Sequence, residues 1–494
     1  MQSSINGLLF AGAAITVLAA PSAAQASTAK NVMMFISDGA SWGTWDMASY
    51  WQYGERGRQS YDGFDVKLGM TTEPASNPQR VYDPQAAWDT IPTAAGADQP
   101  FEGYATLDTG ATDSAAAGTA LSTGQKTANG RIAADEGGTP LRSISQDAKA
   151  AGKSVGVVSS VPFSHATPAA FGAQNESRDN YGEIATQMIN EGTLDVVMGT
   201  GNPNYGLSGE PLPEPNYFFV GEGDWEALNG PDAPMTLITG EADFDALADG
   251  SLEIDGRLIG VPQTIATLQY TREAEVVGAD PDNPSGVAYA DGIPALATMT
   301  EGALNHLGKD EDGLFLMVEG GAVDWAAHDN DTARVIEEQV DFNRAVDAAV
   351  EWVEERDLWE ETLMIVLTDH GNGMTMGPDS DTVPFQAILN NGAGALPGVL
   401  WHSGSHTTEN TLLWANGAGA DAFFDQVVDV DPFLASVLGF NDGRYIDNTG
   451  VLPAILAASG ITPVPAPAGI WLMLALMLPF GVLNRLRSST HAPK

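Results

Sequence analysis

The chain has 494 residues, with 65 acidic against 21 basic side chains, a formal net charge of −44 and no cysteine. That balance argues against a nucleic-acid partner, because phosphate backbones need a basic surface. Without cysteine there are no disulfides and no thiolate sites, so any transition metal must be held by His and carboxylates.

Taken in chain order, the first feature is the apolar run Leu8 to Ala20, followed by the small-residue cleavage site Ala24-Gln25-Ala26. Residues 1–26 therefore read as a secretory signal peptide, although no Lys or Arg precedes the apolar run. Five later runs read as strands buried on both faces: NVMMFIS (31–37), SVGVVSS (154–160), DVVMG (195–199), GLFLMV (313–318) and LMIVLTD (363–369). Helical patterns separate them. The clearest covers 332–357, where Val335, Val340, Phe342, Ala345, Ala349 and Val353 keep the spacing of an apolar stripe. Strands alternating with helices predict a three-layer α/β/α sandwich around a central, mostly parallel sheet. Residues 201–300 are acidic and weakly periodic, and read as a loop-rich insertion over the mouth of a site, with some secondary structure of its own.

Pro-rich residues 456–467 read as a linker. Beyond them, 468–494 carry an apolar run from Ala468 to Leu483, then Arg485 and Arg487. The run is slightly short for a span of about 20 residues, and basic residues after it fit a C-terminus that stays in the cytoplasm. With Val464-Pro465-Ala466-Pro467-Ala468 before it, this end resembles the PEP-CTERM sorting signals of the VPLPA-like variety. The resemblance implies an exported protein, in the periplasm or at the cell surface, tethered to the membrane or processed at its tail.

In open parallel sheets ligands bind beyond the carboxyl ends of the strands, and Asp38, Glu319 and Asp369-His370 all stand there. In TGATDSAAAGTALSTG, Asp113 suits a helix N-cap and Ser114 the first turn, where unpaired N–H groups attract an anion. No GxSxG elbow surrounds Ser114, so a His base is not the natural reading; the triplet taken alone is a plain helix cap or a serine that a metal holds as alkoxide. Five of the seven histidines fall in His165-Ala-Thr167-Pro, Asp324-Trp325-Ala-Ala-His328, Asp369-His370 and His402-Ser-Gly-Ser-His406. Asp324 and His328, at i and i+4, share one helical face, as a bidentate metal site or an ordinary ion pair would.

The order and spacing of D-G, D-S-A, H-A-T-P-A with Arg178 thirteen residues after His165, E-G-G-x-x-D-x-x-x-H, T-D-H-G and H-T resemble the alkaline phosphatases. The likeness runs from about Asn31 to Gly417 and weakens across 201–290. It implies a secreted phosphate monoester hydrolase with two zinc ions and one magnesium, often a homodimer. Ser114 would be the nucleophile that forms a phosphoserine, and Arg178 the clamp on phosphate. Asp324, His328 and His406 match ligands of the first zinc; Asp38, Asp369 and His370, with Ser114, match the second. Asp38, Thr167 and Glu319 match the magnesium ligands, with His165 beside them. Of His402 and His406, the H-T pattern favours His406. Trp325 stands where some members have Lys or His, a departure that bears on phosphate affinity and magnesium dependence.

Ligands spread from Asp38 to His406 must converge, so 27–455 is expected to form one catalytic domain. Length alone would suggest about three. The alternatives are a phosphodiesterase of the same superfamily, and a non-catalytic surface protein whose acidic face binds divalent ions.

Overall fold

The computed structural model describes residues 28–75, 82–89 and 110–464. The expected signal segment 1–26, the last residues of the expected linker and the tail 468–494 lie outside the described residues. Among the described residues no helix is long and apolar enough to cross a membrane.

The strands are β1 (Asn31–Ser37), β2 (Val66–Thr71), β3 (Ser154–Pro162), β4 (Val196–Thr200), β5 (Thr236–Ile238), β6 (Leu258–Gly260), β7 (Leu314–Gly320), β8 (Thr362–Leu367), β9 (Gly371–Asn372), β10 (His406–Thr407), β11 (Thr411–Gly417), β12 (Val427–Val430) and β13 (Arg444–Asp447). Eleven of them form one sheet in the order β12-β13-β2-β11-β8-β1-β7-β3-β4-β6-β5, and β9 and β10 pair separately. From β8 through β1, β7, β3, β4, β6 and β5 every neighbour is parallel; β11 runs antiparallel to both β8 and β2.

Alternation along β1 explains the layers. Val32, Met34 and Ile36 enter one core, whereas Met33 and Phe35 enter the other. Helices Ser114–Thr123, Tyr181–Asn190 and Val451–Ser459 contribute to the first core, and Trp42–Tyr53, Leu296–Leu307 and Thr332–Glu355 to the second. The fold is thus the α/β/α sandwich read from the sequence. Continuous apolar strands follow from burial on both faces.

The 332–355 helix anchors the carboxyl end of the central strands through Phe342. Its ring meets Phe35 and Trp45 edge-on, and it packs so closely on Gly320 that a Cβ there would lie 3.0 Å from it. Truncating that ring to Ala costs about 3–5 kcal/mol.

One stretch has the secondary structure expected of it, and one boundary differs from expectation. Within 201–300, β5 and β6 extend the edge of the main sheet, so this stretch is more than a loop region over the site. Three-residue strands are too short to leave a periodic signal. The helix Val451–Ser459 carries the folded body past residue 455, because VLPAILAAS is apolar and docks back: Ala29 N donates to Ala458 O at 2.8 Å.

Candidate active site

The site stands where β8, β1, β7 and β3 end side by side. Register places Ile36 of β1 opposite both Glu319 of β7 and Leu367 of β8, so Asp38, Glu319 and Asp369 leave the sheet at one level. Tight backbone makes room. Gly39 has φ of +67°, and a Cβ there would lie 2.4 Å from Asp324 Oδ1, so only glycine lets the chain turn against that carboxylate.

Two groups of close-set ligand atoms form: Asp38, Asp369 and His370, all buried, and Asp324, His328 and His406 toward the mouth. In the first, His370 Nε2 lies 3.4 Å from both Asp38 Oδ1 and Asp369 Oδ2. In the second, His328 Nε2 is 3.4 Å from Asp324 Oδ2, and His406 Nε2 is 3.3 Å from Asp324 Oδ1. Asp324 and His328 share one face of the Ala322–His328 helix. The short β9–β10 ladder, pairing His406 with Asn372, brings in the third member. His402 instead faces Ser380 Oγ at 2.7 Å and belongs to neither group.

Ser114 opens its helix as expected, with Asp113 as N-cap accepting from Ala116 N at 2.9 Å. Its Oγ lies 3.3 Å from His370 Nε2. Arg178 NH1 donates to Asp113 Oδ2 at 3.0 Å, and its NH2 lies 3.4 Å from His165 Nε2. Trp325 and Tyr181 flank the His165 ring at 5.6 and 6.4 Å, and Tyr181 continues to Phe218 and Phe219. That part of the 201–300 stretch therefore does reach the neighbourhood of the site.

Electrostatics show what the pocket can hold. Asp38, Asp369, Glu319 and Asp324 converge in a buried space. Burial, with the charges of Asp369, Asp324 and Glu319, holds Asp38 well above the usual carboxylate range. Burial lifts Asp369 to about 6 and Glu319 to about 7. Burial also opposes charge on Asp324, but His406 and His328 beside it hold its pKa well below the usual range. The hydrogen bond to Asp324 raises His328 to about 9, while burial and the Arg178 charge press His165 down to about 3. Asp38 Oδ1 and Oδ2, Asp369 Oδ2, Glu319 Oε1 and Thr167 Oγ1 are buried without a hydrogen-bond partner. Buried groups are normally satisfied, so this convergence of bare oxygens fits cations. The imidazole-and-carboxylate triads suit zinc, and the all-oxygen set Asp38, Thr167 and Glu319 suits magnesium.

Several supporting residues escape the sequence reading. Ser159 Oγ donates to Glu319 Oε2, and Asn372 Nδ2 donates to Asp324 Oδ1 at 2.7 Å. Thr368 Oγ1 accepts from Ala40 N at 3.0 Å and donates to His370 O at 2.7 Å. Glu409, fully buried, accepts from Thr407 Oγ1 at 2.8 Å and from Trp42 N at 3.1 Å. Thr368 and Asn372 flank the Asp-His pair in sequence, a usable signal. Ser159 is matched to Glu319 only by strand register.

Comparison with known proteins gives the family and the fold. The chain is 34% identical over 280 residues to alkaline phosphatase 4 of Bacillus subtilis, covering 55% of this chain and 51% of that protein. It is 30% identical over 322 residues to the alkaline phosphatase of Escherichia coli, covering 58% of this chain and 63% of that one. The chain thus spans about half to two thirds of the length of these relatives. In structure it resembles the alkaline phosphatase of the Antarctic bacterium TAB5 (TM-score 0.58, 22% identity, 89% of this chain and 100% of that chain). A cold-active alkaline phosphatase from Shewanella sp. is similar too (TM-score 0.60, 22% identity, 88% and 100%). The family profile of alkaline phosphatases matches residues 29–225 and 267–424, and the chain belongs to the alkaline phosphatase family.

Proposed function

We propose that this protein is a metal-dependent phosphate monoester hydrolase that works through a phosphoserine on Ser114. The observation that carries this reading is Ser114 Oγ, at the start of a helix, facing a ligand triad beside a second triad, with Arg178 close by. Asp324, His328 and His406 would hold one zinc ion, Asp38, Asp369 and His370 another, and Asp38, Thr167 and Glu319 a magnesium ion. A variant of the TAB5 enzyme is described with magnesium bound in its M3 site, which supports the third assignment. When bound, such cations stabilise the entering and leaving oxygens of a displacement at phosphorus and lower the pKa of hydroxyl and water.

The chain's own residues do the rest. Ser114 Oγ, once deprotonated, attacks phosphorus; the ester P–O bond breaks and the alcohol leaves after taking a proton. Water then attacks the phosphoserine, the Ser–O–P bond breaks, and inorganic phosphate departs. The first turn of the Ser114–Thr123 helix favours an anion. Arg178, oriented by Asp113, offers a planar fork to two phosphate oxygens. That fork and a third cation both address the extra negative charge of a monoester, which favours monoesters over diesters.

The test is hydrolysis of p-nitrophenyl phosphate and of bis-p-nitrophenyl phosphate by one purified sample of measured metal content. The monoester should be the faster substrate, and chelation should abolish its turnover. A sample that binds zinc and magnesium stoichiometrically yet hydrolyses neither would overturn the reading. Residues 1–26 and 468–494 support a further proposal, that the protein works outside the cytoplasm, tethered or processed at its C-terminal end, and a homodimer is in keeping with the family.

A further inference from the structure

Away from the metal ligands, the 332–355 helix carries a buried carboxylate for which the phosphatase reading has no use. Glu338 is 4% exposed, and among the described residues neither a hydrogen bond nor an ion pair reaches its carboxylate. Its neighbour Glu337 is fully served: Arg272 donates to it at 3.0 Å, Arg334 at 3.2 Å and Ser285 N at 2.9 Å. Glu338 instead lines a cavity of about 420 Å³ between this helix, residues 281–295 and the Leu268-Gln269 segment. That volume lies within the range of small-molecule sites.

The lining has two characters. Asp341, one turn along the helix, gives one oxygen to Leu296 N at 3.3 Å. Glu241, Asp282 and Asp291 add negative charge, against Arg344 on the rim. Leu268, Ile293 and Val340, all buried, form apolar wall, and Trp51 is fixed by its indole N–H donating to Pro281 O at 2.9 Å. A carboxylate set in the protein interior without a partner, its oxygens open only to this cavity, favours a proton or a cation beside it. Among the described residues the close-set ligand triads are the two at the strand ends, and none lies here. A protein-built metal cage therefore suits this cavity poorly. A cation that needs one or two carboxylates and brings its own carbon skeleton suits it better.

We propose that this cavity binds a small aliphatic amine, its ammonium held by Glu338 with Asp341 and its carbon chain covered by Leu268, Ile293 and Val340. Burial, with the charges of Asp341 and Glu337, lifts the empty Glu338 to about 8, with Arg272 and Arg334 opposing that rise. An entering ammonium consequently displaces a proton near neutral pH and meets a ready carboxylate above it.

The experiment is calorimetric titration of the metal-loaded full-length protein with 1-butylamine and with 1,4-diaminobutane. It is run at about pH 9, where both amines keep an ammonium, and in about 0.15 M NaCl to screen loose surface association. Saturable binding is expected. Glu338→Gln should weaken it about tenfold or more, in line with loss of a charge-assisted contact. Ile293→Trp, which fills the cavity and leaves the carboxylate, should weaken it as well. Melting temperature and p-nitrophenyl phosphate turnover of both variants report that the fold is intact. Absence of saturable binding, or binding that neither variant changes, overturns the proposal. So does Glu338-dependent binding of calcium chloride by a protein that ignores both amines.

Discussion

Ser114 Oγ and His370 Nε2, both on buried residues, stand 3.3 Å apart, and the same imidazole nitrogen lies 3.4 Å from Asp38 and from Asp369. Burial and the nearby His406 hold His370 well below the usual imidazole range, so it stays neutral. A neutral imidazole between two carboxylates is a donor set for a cation rather than a free base. Ser114→Ala should therefore leave that set in place. Metal content should be unchanged, whereas the phosphoenzyme seen by mass spectrometry after rapid acid quench should vanish and kcat fall roughly 10³-fold or more. Unchanged turnover would remove Ser114 from the mechanism.

Arg178 is held at both ends of its guanidinium, by Asp113 at 3.0 Å and against His165 at 3.4 Å. Its fork is thus oriented before substrate arrives, which is where a bidentate clamp gains over a point charge. Arg178→Ala should lower kcat/KM for a monoester by roughly 30–100-fold, the worth of charge-assisted hydrogen bonds. Arg178→Lys should recover only part of that loss, because an ammonium cannot present two parallel donors. Asp113→Asn should act in the same direction and more weakly. Equal activity of the Lys variant would show that charge alone matters.

The sequence makes the ligands legible because each stands where a doubly buried strand stops. NVMMFIS runs into Asp38, LFLMV into Glu319 and LMIVL into Asp369-His370, and a sheet of this kind aligns such ends. Support for those ligands is less legible. Ser159 meets Glu319 through parallel register, and Asn372 meets Asp324 through a two-residue ladder, neither of which leaves a local pattern. Strands β5 and β6 escape for the same reason. Their three residues each are held by neighbours far away in the chain.

His402 and His406, four residues apart, provide an internal control. Only His406 reaches Asp324, and its ring stacks on His370 at 3.7 Å, while His402 pairs with Ser380. His406→Ala should lower metal content by elemental analysis, by one zinc ion on the function proposed above, and most activity should go with it, since ligand loss costs binding outright. His402→Ala should keep full metal content and change kcat less than about threefold, the scale of a substitution that touches no ligand. The reverse pattern would transfer the ligand role to His402.

Glu409 tests the electrostatics of the surrounding shell, being buried yet no member of either ligand triad. Burial lifts its carboxyl from 4.5 to about 7, even though Thr407, the Trp42 backbone N–H and Ser41 oppose that rise. The folded state then binds this proton more tightly than the unfolded chain. The resulting penalty is absent below about pH 4.5, grows between about 4.5 and 7 and is constant above. Glu409→Gln keeps a carbonyl to accept from Trp42 N and carries no charge. Its stability relative to the parent, measured by urea unfolding at matched metal loading, should rise across that window and level off beyond it. The total gain is about 3 kcal/mol at most, the worth of the shift in pKa. A difference between variant and parent that stays flat from pH 5 to pH 8 would mean that Glu409 ionises freely in the folded protein, and that the hydrogen bonds from Thr407 and Trp42 outweigh its burial.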